Sequence, residues 1–446
     1  MRALKPALQY SQGRSYSWSG AELVNCFAEK ADGDKREEFA LMCSPGLTVW
    51  STVGVGPIRG MIVCAGVLYV VSGGVLFSVA SNGTATTLGA IGGSGPVRIA
   101  CNYTEVCIAA GGVGYVYSGS LQTPVPFDVS DVIYADGYII WQIEGGEQFI
   151  ISALDDALTY DASDIASVEG APDNLVGMIN DHREIHFYGD KTGEIYYNSG
   201  AALFPFERQG NAFIERGCFD RDSIVKIDST VMFVGDDKII YALAGYQPQR
   251  VSTHAIEYQI RNATYARGWT YTQEGHKFYV LEVDSGTFVL DRATGAWHKR
   301  QSLGMDYWRC YQSVDAYGMT LFGDRETGKL YIPSMDVYDE AGDPIRMELT
   351  LPTMEFDRQR VTMYSFEVTT EAGVGSATSN PEIMMQYSDD SGRNWSAELW
   401  RGLGLVGERK NRVIWRKLGQ FRIRTIKLAI TEAVQRIAIS YFADIR

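Results

Sequence analysis

Apolar and polar positions fall into one phrase that recurs seven times along this chain. An apolar stretch runs into a Gly-centred turn, and a second apolar stretch, usually with an aromatic residue, runs out. The first turn is Gly73-Gly74, between Leu68–Ser72 and Val75–Phe77. The others are Gly111-Gly112, Gly145-Gly146, Gly189-Asp190, Gly235-Asp236, Ser285-Gly286 and Gly323-Asp324. From Gly73 the steps are 38, 34, 44, 46, 51 and 37 residues. Short strands recurring at about 40 residues predict a β-propeller with one four-stranded blade per repeat. Seven units leave six or seven blades, depending on whether one unit belongs to a neighbouring element.

Each unit carries an earlier strand as well. Pro57–Cys64 precedes the first hairpin and Gly95–Cys101 the second, each opening on a Gly-Pro-x-Arg phrase (Gly56–Arg59 and Gly95–Arg98). Ser223–Ile227 and Cys310–Val314 fill the same slot further on. The apolar runs are nearly continuous, as expected for strands covered on both faces by neighbouring blades. After about residue 336 the pattern changes to clearer alternation, over Arg346–Leu351, Tyr364–Thr369, Glu382–Tyr387, Arg412–Arg416, Thr425–Ile430 and Arg436–Phe442. Alternation predicts strands with one wet face. The expected organisation is therefore all-β. Residues 1–55 form an arm, lying across the surface or supplying a closing strand to the last blade. Residues 56–335 form the propeller, and 336–446 an antiparallel β-sandwich-like domain, basic at its end. Residues 152–166 are the only loose helical candidate, and the charged stretch Glu29–Glu38 reads as a loop.

Composition sharpens this picture in two places. The 446 residues carry a net charge of −14, unevenly spread. Residues 401–446 hold eleven Lys and Arg against Glu408, Glu432 and Asp444, a balance of +8, which leaves −22 on the rest. An acidic body repels nucleic acid rather than seeking it. The basic end suits an acidic partner, a neighbouring subunit or a solvated sheet face. The seven cysteines are scattered, with no Cys-x-x-Cys pair, and read as reduced core residues rather than zinc ligands. No apolar run is long enough to span a bilayer, and Met1–Ala7 lacks a signal-peptide core, so synthesis in the host cytoplasm is expected.

No residue set stands out as catalytic, cofactor-binding or metal-binding, and an enzyme is not expected. Ser388–Trp395 matches the Asp-box pattern S-x-D-x-G-x-x-W, which folds a hairpin turn in sialidases and other propellers. Its single copy lies outside the propeller and reads as a structural turn. Phe288–Trp297 looks like the strand–turn–strand of a kelch blade, with Asp291 and Thr294 organising the turn. His182 and His186 flank Arg183–Ile185; placed on one strand they would share a face, and they read as surface residues. The carboxylate pairs Asp155-Asp156, Asp236-Asp237 and Asp389-Asp390 are of the kind a glycoside hydrolase needs across a cleft, but spacing alone does not bring them together.

Three stretches resemble the packaged-DNA stabilisation protein, or tail hub, of P22-like short-tailed bacteriophages. They are Glu22–Glu29 followed by Leu41–Leu47, then Phe288–Asp291 with Trp297, then Arg412–Gly419 with Ile426–Ile430. Of these, Trp415–Gly419 is the most specific. The resemblance implies a virion structural protein, a hexameric ring below the portal and its adaptor or head-completion protein. Such a hub holds a tail needle or plug, neighbours the tailspike or fibre, keeps packaged DNA in and forms the channel for genome ejection. DNA would pass without sequence-specific binding, past an acidic wall. The alternatives are a propeller adhesin that binds glycans and a propeller glycoside hydrolase.

Overall fold

The computed structural model describes residues 2–446 other than 32–37, 162, 169, 171–172, 203, 358 and 376–377. Seven four-stranded antiparallel sheets stand around one axis. The first six are blade I (Ile58–Cys64 to Ala85–Ala90), blade II (Arg98–Cys101 to Leu121–Gln122), blade III (Val129–Ala135 to Ile165–Ser167), blade IV (Leu175–Asp181 to Phe206–Ile214), blade V (Val225–Ile227 to Gln247–Arg250) and blade VI (Ala266–Gln273 to Trp297–Arg300). Blade VII is Cys310–Ala316, Met319–Asp324 and Lys329–Ser334, closed by Gly46–Thr52 from the start of the chain. All seven Gly-centred turns join the second and third strands of a blade, one turn to each blade. The blade count is therefore seven. Gly73 and Gly111 have φ of +53° and +56°, the left-handed region where a Cβ is costly.

Blades are apolar on both faces because each is sandwiched. Val106–Ala110 is buried at every position, and so is Gly286–Asp291. Polar groups tie neighbouring blades where side chains cross between them. Asp131, fully buried, accepts from Arg98 of blade II at 2.9 Å and from the backbone of Met178 in blade IV at 3.2 Å. The ring closes on Tyr317 of blade VII, whose hydroxyl accepts from Leu68 N at 3.0 Å and donates to Val79 O at 2.5 Å in blade I. Arg59, from the first Gly-Pro-x-Arg phrase, donates to the carbonyls of Gly73, Gly92 and Gly95. Cys64 and Cys101 form a disulfide joining the inner strands of blades I and II. The expectation that all cysteines are reduced is corrected for this pair; the other five are free and buried.

The C-terminal sandwich has two sheets. One is Cys26–Lys30, Phe39–Cys43, Ile437–Ile445, Val361–Thr370 and Val413–Arg416, in that order, with Arg2–Ala3 and Gln420–Phe421 on its margins. The other is Glu22–Val24, Met347–Thr350, Ile423–Ile430, Glu382–Ser388 and Leu399–Gly402. Between them lies a core that includes Phe366, Trp415, Leu428 and Tyr441. The chain's first 43 residues thus supply strands to both sandwich sheets. Glu22–Val24 also pairs with Trp297–Arg300 of blade VI, so one sheet runs from the propeller into the sandwich. Asn25, buried and at φ +54°, follows this strand. Its amide donates to Gln301 O at 2.8 Å and Arg346 O at 2.9 Å and accepts from Gln301 N at 2.9 Å, pinning both domains.

The helical candidate at 152–166 is not helical. Asp156 accepts from Leu158 N and Thr159 Oγ1 and folds the segment into turns, with the adjoining Asp155 at φ +55°. The one α-helix among the described residues is His254–Ile260, capped by the Thr253 hydroxyl. Of the stretch Glu29–Glu38 expected as a loop, residues 32–37 lie outside the described residues, and Glu29 and Lys30 end a strand.

Candidate functional site

The inner strands of all seven blades line an axial tunnel of about 530 Å³. Ile62, Ala100, Tyr134, Asn180, Lys226, Thr270 and Gln312 are one representative from each blade. The size decides a functional point. A duplex presents a major groove about 12 Å wide, so the whole duplex is far too thick for this cavity. The charged lining residues are Arg98, Lys226 and Arg267 against Asp222, so the tunnel wall is cationic on balance.

Two further surfaces stand out, both on the sandwich. The outer face of its first sheet carries an apolar groove of about 490 Å³, lined by Phe39, Met42, Ile437, Ile439 and Phe442 with Glu29 and Glu371 at its rim. A solvent-facing sheet surface is ordinarily polar; this one is apolar among the described residues. Beyond it lies the basic segment. Eight of its eleven cations are exposed: Arg401, Arg409, Lys410, Arg412, Arg416, Lys417, Arg422 and Arg446. Arg412 forms a bidentate pair with Glu367 at 2.7 and 2.6 Å. The other three are structural. Arg424, buried, pairs with Asp389 at 2.7 Å; Arg436, buried, donates to Ile345 O and Tyr338 O; Lys427 pairs with Glu348 at 2.8 Å.

The motifs singled out in the sequence serve turns and packing. In the Asp box, Asp390 Oδ1 accepts from Arg393 N at 3.1 Å and Asn394 N at 2.9 Å, and Gly392 sits at φ +84°. These bonds to the charged form hold the Asp390 carboxyl down to about 2. In the kelch-like turn, Asp291 accepts from Ala293 N, Thr294 Oγ1 and His276 Nδ1, and Trp297 is buried with its indole donating to Val251 O. His182 and His186 do not share a strand face. His182 lies in the hairpin turn at φ +49°, 2.9 Å from Asp181, while His186 is buried rather than on the surface. The carboxylate pairs are dispersed: Asp236 binds Lys191, Asp237 accepts from Tyr241, and Asp389 and Asp390 are held as described. No group of three or more His, Cys, Asp or Glu among the described residues is placed to hold a metal. No helix among them is long and apolar enough to cross a membrane.

Two residues were missed from sequence. Arg267 reaches the tunnel, and Glu340 is buried at the domain junction. Glu340 accepts from Trp308 Nε1 at 2.9 Å and Ser302 Oγ at 2.5 Å, with Arg300 at 3.5 Å. Neither position carries a motif, because their surroundings are assembled from remote segments.

A closed propeller joined edge-on to a sandwich defines an all-β protein of two bodies. Residues 10–338 match the family model for bacteriophage P22 Gp10, beta-propeller, and residues 346–443 that for bacteriophage P22 Gp10, beta-sandwich. The chain belongs to the bacteriophage P22 Gp10 family: it is a structural protein of a P22-type phage tail, located in the virion, where it assembles with other virion proteins. No curated protein matches it. Among solved structures, the extracellular domain of the putative one component system BT4673 from B. thetaiotaomicron is similar at 9% identity and TM-score 0.45; the match covers 86% of this chain and 58% of that one. The designed Ika8 protein is similar at 11% identity and TM-score 0.38, over 73% of this chain and 99% of that one. The N-terminal domain of Nup159 is similar at 10% identity and TM-score 0.41, over 70% and 98%.

Proposed function

We propose that this chain is the tail hub itself: six copies form a ring below the portal and its adaptor, retain the packaged genome, and enclose the channel through which it is ejected. The observation that carries the proposal is that both bodies match the family, residues 10–338 the Gp10 propeller and 346–443 the Gp10 sandwich. Charge supports the ring. Eight exposed cations at the sandwich edge face outward from a chain whose remaining 400 residues carry −22, so neighbours attract head to tail. The apolar groove beside them supplies contact area. In this reading residues 1–55 are an arm that serves both bodies, 56–335 the propeller and 336–446 the sandwich. The other partners are the needle or plug and the tailspike or fibre, and the chain is made in the host cytoplasm. In this reading it is not an enzyme; Asp156 and Asp390 organise turns, and Asp236 and Asp389 form ion pairs.

The test is electron microscopy of the purified chain alone and mixed with its portal–adaptor complex. A sixfold ring, free or on the portal, is expected. A monomer that ignores the portal would overturn the ring and redirect attention to glycan binding and hydrolysis.

A further inference from the structure

The propeller tunnel holds a charge without a counter-charge. Four charged side chains line it: Arg98, Asp222, Lys226 and Arg267. Arg98 pairs with Asp131 at 2.9 Å, Lys226 with Asp181 at 2.8 Å, and Asp222 with Arg221 at 3.6 Å. Arg267 pairs with no carboxylate among the described residues. Its side chain sits on the inner strand of blade VI, 8% exposed, with Cζ 3.2 Å from the Tyr311 ring centroid and Nη1 buried without a hydrogen-bond partner. Tyr311 covers one face of the guanidinium, and Nη1 on its edge remains to be satisfied.

Burial pulls Arg267 down to about 10, opposed by Asp222 and Glu282 and assisted by Arg98 and Arg325, so the group stays charged at neutral pH. A cation taken out of water with an open donor is costly until an anion completes it. A guanidinium N–H donates strongly to an oxyanion oxygen, and the adjoining cavity of about 530 Å³, which Arg267 lines, has room for one such ion.

We infer that the propeller tunnel is a binding site for one small tetrahedral oxyanion of the phosphate class, held by Arg267. The site is independent of ring formation and of the tail-hub reading.

Calorimetric titration of the full chain with orthophosphate, at constant ionic strength in chloride buffer, tests it. Saturable binding of one ion per chain is expected, lost in Arg267→Gln. Asp222→Asn should bind about tenfold more tightly, because a like charge beside the anion is removed. The absence of saturable binding in the natural chain, or an unchanged affinity in folded Arg267→Gln, overturns the inference. Should Arg267→Gln not fold, Asp222→Asn decides alone, and an affinity unchanged or weakened overturns it. A single-stranded oligonucleotide without terminal phosphate should not displace the bound orthophosphate. Displacement would overturn the assignment to a free ion and make a phosphodiester backbone the source.

Discussion

The propeller and the sandwich are both antiparallel, both apolar inside, and assembled in opposite ways. In the propeller nearly every strand pairs with the strand next to it in sequence, and only Gly46–Thr52 comes from afar. In the sandwich, strands from the first 43 residues pair with Met347–Thr350 and with Ile437–Ile445. One body is a row of local hairpins bent into a ring; the other exists only when the two ends of the chain meet. Loop closure over such separations costs entropy before any contact repays it. The N-terminal arm therefore does two jobs at once, closing the ring and completing the sandwich.

Removing the arm should break the comparison most severely. A chain beginning at residue 56 lacks the outer strand of blade VII and strands from both sandwich sheets. Limited proteolysis should digest residues 346–446 rapidly, and blades I to VI should persist longest. Equal resistance of the two bodies would show that the sandwich stands without the arm.

The junction comes next. Glu340→Ala leaves Arg300 buried and unpaired beside Trp308. Breaking a buried pair on one side costs about 3–5 kcal/mol, read as a lower denaturant midpoint of the whole chain. A loss under about 1 kcal/mol would mean that water or a neighbour replaces the carboxylate. Asn25→Ala should cost about 2–3 kcal/mol: it removes three partly buried hydrogen bonds and puts Ala at a positive φ. Its signature is uncoupling, with propeller and sandwich unfolding in separate transitions.

The two regions should also part on acidification. His298 of blade VI is buried, and burial, with Arg300 and His276 nearby, pulls it from 6.5 down to about 3. The unfolded chain takes up this proton first. Stability is full above pH 6.5 and falls by about 1.4 kcal/mol per pH unit towards pH 3. His298→Phe should flatten that slope in urea titrations at several pH values, and a slope unchanged in the variant would assign it to other groups. Asp390 of the sandwich is also lowered, to about 2, so its contribution is present above the usual carboxylate value of 3.8 and fades only below it. Asp390→Asn should give the smallest effect of all, confined to the lower pH range.

The chain itself determined the propeller, because a blade is a local object. Apolar runs and Gly turns at Gly73, Gly111 and Gly145 specify hairpins whose pairing needs no distant partner. The sandwich strands were equally visible one by one, from their alternation. What only the tertiary structure decided is which strands meet: Glu22–Val24 between two domains, Phe39–Cys43 beside Ile437–Ile445, and Gly46–Thr52 in the last blade. The surroundings of Arg267 and the charge partner of Glu340 were settled in the same way. Pairing across hundreds of residues leaves no periodic trace, since each strand records only that one face is apolar and not whose face it covers.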